Sequence, residues 1–191
     1  MAGLRAWSFT GALLLALAVF PVRSEPIALD SARSSAEFEV RVMWMFDIEG
    51  RFGAVSGEVD VDHEARSVRV RARIDARVVS MRRSSYEEWV KSDEFFDAAR
   101  HPTIVFESEP FPLAALELGG DIVGNLTLRG VTRPVSLQLL ASECPGAVAL
   151  SCDVVADGAV QRSDFGMRTR RATLADKVRL HFTVRTVAPP E

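Results

Sequence analysis

The chain has 191 residues, with 23 Lys and Arg against 26 Asp and Glu, a formal charge of −3, three His and two Cys. That length suits a single domain of ordinary size. A mildly acidic balance without a Lys/Arg block offers no electrostatic footprint for nucleic acid or for anionic lipid headgroups, which directs attention to an apolar or neutral partner.

Arg5 precedes the apolar run Gly11–Phe20, and Pro21-Val22-Arg23-Ser24 follows it. A charged start, an apolar centre and small residues before Glu25 are the order of a secretory signal, so residues 1–24 are expected to be cleaved and the protein to be periplasmic. The apolar run is shorter than the roughly 20 residues of a spanning helix, and no Cys follows it to carry a lipid anchor. Cleavage would remove Arg5 and Arg23 and no acids, leaving a domain over residues 25–191 with a formal charge of −5.

From Glu25 onward the dominant pattern is alternation of period two, the mark of strands with one apolar face. Phe38, Val40, Val42, Trp44, Phe46 and Ile48 read as one such face, opposed by Glu37, Glu39, Arg41 and Asp47. Ser56–Asp62 is a shorter candidate. Ser67–Ala76 alternates almost perfectly, with Val68, Val70, Ala72, Ile74 and Ala76 against Arg69, Arg71, Arg73 and Asp75. A helical insertion then interrupts the strands. Ser85-Tyr86-Glu87-Glu88 has the form of a capping box, Tyr86, Trp89 and Val90 fall at helical spacing, and Ser92 or Asp93 could cap a further turn into Phe95 and Phe96.

Thr103–Ser108, Asp121–Arg129, Val135–Ala141 and Leu150–Val160 are the next strand candidates. In the last strand Val178, Leu180, Phe182 and Val184 alternate with Lys177, Arg179, His181 and Arg185. About eight one-sided strands can bury their faces as a sandwich or as a closed barrel, and the alternation does not choose between them. Val68, Val70, Ala72, Ala76 and Gly124 are small enough to leave room inside a barrel. Cys144 and Cys152 flank Pro145-Gly146 and are expected to form a disulfide if the chain meets an oxidising compartment.

Catalytic chemistry is hard to find in this sequence. His63, His101 and His181 are scattered, no Ser or Cys stands in a nucleophile motif, and the cluster Asp60, Asp62, His63 and Glu64 reads as a solvated turn rather than a metal site. Arg162, Asp164 and Asp97 are the candidates for an acid-base pair, each more simply a turn residue. No cofactor is expected.

Three separated segments carry a family resemblance. Ser92-Asp93-Glu94-Phe95-Phe96-Asp97 with Pro102-Thr103-Ile104-Val105-Phe106, then Gly124-Asn125-Leu126-Thr127-Leu128-Arg129-Gly130-Val131-Thr132-Arg133-Pro134-Val135, then Arg162-Ser163-Asp164-Phe165-Gly166-Met167 resemble, in order, the signatures of the YceI-like family. The resemblance spans Ile27 to Val187. It implies an all-β, lipocalin-like antiparallel barrel of about eight strands that binds a polyisoprenoid or an isoprenoid quinone in an apolar tunnel, without catalysis. Phe38, Phe52, Phe95, Phe96, Ile104, Phe106 and Phe165 match the family's aromatic and aliphatic pattern, and with Val40, Trp44, Val70, Ala72, Leu180 and Phe182 of the alternating faces and Trp89 of the helical stripe they make up the expected lipid site. Transient membrane contact, and a monomer or a homodimer, are left open. The chain departs from the family at Arg33-Ser34-Ser35, where many members carry His-Ser, and at Val42–Phe46, which is unusually apolar. A lipid-modifying enzyme and an interaction module with a filled core are the alternative functions.

Overall fold

The computed structural model describes residues 26–142 and 152–187. Ile27–Ala28 (β1) and Ser35–Val42 (β2) form one strand interrupted by a turn. Phe46–Phe52 (β3) runs on into Val55–Asp62 (β4), and Ser67–Asp75 (β5) into Val79–Met81 (β6). Ser84–Lys91 (α1) follows, then Thr103–Ser108 (β7), the short Phe111–Pro112 (β8) and Ala115–Leu118 (α2). Gly120–Leu128 (β9), Val131–Leu139 (β10), Val154–Gln161 (β11) and Leu174–Val184 (β12) complete the chain.

The registers close a ring. β5 pairs with β7, β7 with β9, β9 with β10, β10 with β11, β11 with β12 and β12 with β2, every pair antiparallel. The long bent strand β3–β4 completes it: β2 and β1 pair along one side of it, β6 and β5 along the other. Counting each chain-continuous pair as one strand gives eight strands, and closing the ring pairs most of their edges, although residues 131–136 of β10 have no β11 partner among the described residues. The closed barrel, rather than a sandwich, is therefore how the one-sided strands bury their apolar faces.

Alternation places the residues as expected along β5, where Val68 and Ile74 are buried while Arg69 and Arg73 face solvent. Arg71 bridges Glu58 at 2.6 Å and Glu107 at 2.8 Å across three neighbouring strands on that outer face. Between β9 and β10 the two-residue loop Arg129-Gly130 has both residues at positive φ, the mirror-image turn that matches strand twist. β10 starts at Val131, four residues before the expected Val135, because Pro134 does not stop it. Around Pro134 only β9 pairs with β10, since β11 meets it at Leu137–Leu139 alone, and a residue without an N–H is tolerated there.

Two local expectations fail. The face running from Phe38 to Ile48 is not one strand: the chain reverses at Met43–Met45, and β2 and β3 pair with each other, Val42 opposite Phe46. The capping box at Ser85 does not form either. α1 starts at Ser84 after Arg83, which makes no side-chain cap, and Glu87 instead accepts the Met81 amide at 3.0 Å, tying the helix back to β6. Ser92 both closes α1, its hydroxyl donating to the Trp89 carbonyl at 2.7 Å, and opens the next turn, its carbonyl accepting the Phe95 amide at 3.1 Å and the Asp97 amide at 2.8 Å. Cys144 and residues 1–24 lie outside the described residues, as do the first two positions of the Leu150–Val160 candidate.

Candidate functional site, an apolar barrel interior

The inward faces of the strands surround a cavity of about 160 Å³. Its walls run from Trp89, Val90, Phe95 and Phe96 at the α1 end to Phe111, Leu116 and Val184 at the other. Val40, Val70, Ala72, Phe106, Leu180 and Phe182 are only half-buried although they sit on inward faces, and all six line this space.

Three phenylalanines meet inside the barrel. The Phe38 and Phe52 rings are 5.4 Å apart, Phe38 and Phe96 5.5 Å and nearly perpendicular, Phe52 and Phe96 5.3 Å, all within the range of favourable edge and tilted contacts. Gly50 makes the first of them possible. It stands opposite Phe38 across β2 and β3, and a Cβ there would lie 2.3 Å from the Phe38 ring. Gly124 has a different part from the one its small size suggests: the Phe106 ring lies over it, 2.7 Å from where a Cβ would be, so its space is filled by an aromatic and is not open volume. Val68 and Ala76 are buried in the wall and do not reach the cavity.

The α1 end is held by an aromatic and polar clasp. Trp89 packs on Phe95 at 4.5 Å, donates from Nε1 to the Glu94 carboxylate at 2.9 Å, and carries the Arg170 guanidinium 4.9 Å from its ring centre. Arg170 also bridges Glu94 at 3.2 Å. The indole N–H, and after it Arg170, hold the Glu94 carboxyl below the usual carboxylate range. Arg129 reaches across from the β9–β10 turn to the carbonyls of Asp93 and Phe95. The aromatic segment after α1 is thus tied to two other loops.

Among the described residues Arg162 is the one cation lining the interior, 1% exposed. Its nitrogens all donate to backbone carbonyls: Nε to Ala175 at 3.0 Å, Nη1 to Met167 at 2.7 Å and Nη2 to Leu174 at 3.2 Å. Burial lowers its pKa from the ordinary arginine value. With its donors committed to carbonyls, it braces the 3-10 turn Arg162–Phe165 against the start of β12 instead of serving as an acid or base. Asp97 is buried beside Arg100 at 3.3 Å, and Asp164 is exposed. His181 faces Asp157 at 2.6 Å on the outside of the barrel, and Asp62 folds its own turn by accepting the Ala65 amide at 2.8 Å.

Of the fourteen residues expected at a lipid site, twelve line the cavity: Phe38, Val40, Phe52, Val70, Ala72, Trp89, Phe95, Phe96, Ile104, Phe106, Leu180 and Phe182. Trp44 does not. It stands 79% exposed on the β2–β3 turn, because the reversal at Met43–Met45 ends the strand before it. Phe165 is fully buried but sits under the 3-10 turn, away from the cavity. Sequence reasoning omitted Met81, Tyr86, Leu126, Leu128, Leu137, Met167 and Val178. Leu126, Leu128 and Val178 lay on alternating faces already recognised, Tyr86 on the helical stripe and Met167 at the end of the third family-like segment; Met81 gave no signal.

Residues 28–186 match the YceI-like domain. The chain belongs to the YceI-like family. It is 28% identical over 144 residues to a UPF0312 protein of Vibrio vulnificus, which covers 72% of each chain. It is also 28% identical over 147 residues to protein YceI of Salmonella arizonae, covering 75% of this chain and 74% of that one. Among solved structures it is similar to BcnA of Burkholderia cenocepacia, with TM-score 0.68 and 21% identity, over 84% of this chain and 99% of that one. A polyisoprenoid binding domain from Saccharophagus degradans gives TM-score 0.63 and 16% identity, over 85% and 98% of the two chains. These structural likenesses establish a shared YceI-like fold.

Proposed function

We propose that this protein is a non-catalytic carrier that shields the prenyl tail of an isoprenoid lipid inside its barrel. The observation that carries the reading is a wall of aliphatic and aromatic side chains running from the α1 clasp to the far end, whose buried cation has its donors committed to the backbone. The binding domain of Saccharophagus degradans, with the same fold, supports the choice of ligand class. Catalysis on a lipid is disfavoured because Asp97 is bound to Arg100 and Asp164 points to solvent, so that neither of these candidates forms an acid-base pair in the interior among the described residues.

Magnitudes refine the proposal. An apolar cavity of about 150 Å³ takes a single benzene ring, so 160 Å³ accommodates about one isoprene unit. Five carbons buried at about 0.8 kcal/mol each give about 4 kcal/mol, only millimolar affinity. Roughly ten buried methylenes are needed for about 8 kcal/mol, in the micromolar range. A tail of that length enters only if the Phe38–Phe52–Phe96 rings move apart along the barrel axis, and those three side chains then set the length that can be held. Discrimination falls on the tail, not on the headgroup.

We further propose that residues 1–24 are removed on export, that residues 25–191 act in the periplasm, and that Cys144 and Cys152 are bonded there; the order of charge, apolar run and small residues supports the first two. Purification from the expressing cell without detergent, then solvent extraction and mass spectrometry, tests the carrier. Co-purification of a prenyl lipid at near-stoichiometric amount is expected. Protein that carries no lipid and takes up no added prenyl alcohol or quinone would overturn the proposal.

A further inference from the structure

The β2–β3 turn presents Met43, Trp44, Met45 and Phe46 to solvent, 55%, 79%, 73% and 62% exposed. The other exposed large apolar residues among those described, such as Val78, Leu118 and Val123, do not follow one another in the chain. A single exposed apolar side chain requires no explanation, whereas four in a row on a projecting turn do. The turn itself does not ask for them. Met43 and Trp44 both have left-handed backbone, φ +48° and +64°, positions that Asn, Asp and Gly occupy at lower cost.

A basic loop lies against this tip. The Met43 amide donates to the Thr173 carbonyl at 2.7 Å, and the loop that ends there carries Arg168, Arg170 and Arg171, all exposed. Arg170 is committed to Glu94 and Trp89, while Arg168 and Arg171 form no ion pair with the described residues. Two neighbouring acids are occupied: Asp47 binds Arg41 at 3.0 Å, and Glu94 binds Arg170. The tip therefore combines a convex apolar wedge, including a Trp, with two free guanidinium groups. Because Arg170 also contacts Trp89, the whole assembly stands at the α1 end of the cavity.

We propose that the Met43–Phe46 tip docks the protein on a lipid bilayer with anionic headgroups, the apolar side chains entering the interface and Arg168 and Arg171 meeting phosphates. Trp and Phe at headgroup level with Arg beside them suit a bilayer better than a protein groove, since the wedge is convex and offers no pocket. The overall formal charge of −3 does not report this local group of arginines. Docking would bring the α1 end of the cavity to the membrane. It stands on the tip and its arginines, independently of what the cavity holds, so vesicles free of prenyl lipid are a sufficient probe.

The test is sedimentation of the exported protein, its N-terminus fixed by intact mass, with phosphatidylglycerol or phosphatidylcholine vesicles. The parent is expected to bind phosphatidylglycerol more tightly. Trp44→Ser with Phe46→Ser should weaken binding about tenfold or more. Arg168→Gln with Arg171→Gln should weaken it about 30-fold on the anionic vesicles only, about fivefold for each charge. On the parent, raising salt to about 0.5 M should mimic the arginine changes, a readout that needs no variant. Equal binding by the parent and both double variants would overturn the proposal. So would tip variants that convert a concentration-dependent dimer to monomer while vesicle binding persists, which would make the tip a contact between two copies.

Discussion

Filling the cavity by Ala72→Phe separates a carrier from a solid core. Ala72 stands on β5 opposite Gly57 and Phe106, with its side chain on the cavity wall. At about 24 cal/mol per Å³, removing all 160 Å³ of empty space would be worth about 4 kcal/mol, an upper bound that one ring cannot reach. Burying a Phe ring contributes about 1.5–3 kcal/mol, and crowding Phe106 costs about 1–3 kcal/mol. The two nearly cancel, so stability should change by less than about 1 kcal/mol while the prenyl tail loses its space. The assay is the urea midpoint at constant slope, paired with mass spectrometry of lipid extracted from parent and variant. Loss of more than about 3 kcal/mol, or lipid retained in unchanged amount and length, would refute the reasoning.

Further outcomes follow from individual contacts. Trp89→Ala should cost about 2–3 kcal/mol in urea unfolding, less than for a fully buried aromatic because one side of the indole meets solvent and Arg170. Arg162→Ala, which leaves the carbonyls of Met167, Leu174 and Ala175 without a donor, should cost about 3 kcal/mol or more, and Arg162→Lys should fail to restore it since an ammonium lacks the planar fork. The Asp75 carboxyl, held at about 2 chiefly by side-chain hydrogen bonds from Arg77, is lowered on folding. Its contribution is therefore present above the unfolded value near 4 and lost as pH falls towards 2. That pair is well exposed, so Asp75→Asn should remove less than about 1 kcal/mol of acid sensitivity, seen as a shallower fall in melting temperature between pH 4 and pH 2. Intact mass of the exported protein should start at Glu25 and show two hydrogens lost from Cys144 and Cys152; a reduced pair in periplasmic protein would exclude that bond.

What the sequence determined by itself was the set of inward faces. Period two along Ser67–Ala76 and Lys177–Arg185 assigns each side chain to one side of a strand, because successive Cβ atoms must point to opposite faces, and those assignments survive folding. Family motifs at Phe95-Phe96, Gly124–Val135 and Arg162–Met167 added the barrel. Tertiary structure decided three things that alternation cannot express. It turned the chain at Met43–Met45 with no Gly, Asn or Pro to announce the reversal, because pairing of β2 with β3 and the Thr173 carbonyl holding Met43 outweigh the cost of left-handed backbone; Trp44 thereby left the interior. It gave the space over Gly124 to Phe106 and the space over Gly50 to Phe38, since which side chain fills a gap depends on the neighbouring strand's register. It also placed Arg162 among the carbonyls of Met167, Leu174 and Ala175, where its hydrogen bonds, invisible in one dimension, make a buried cation a structural brace.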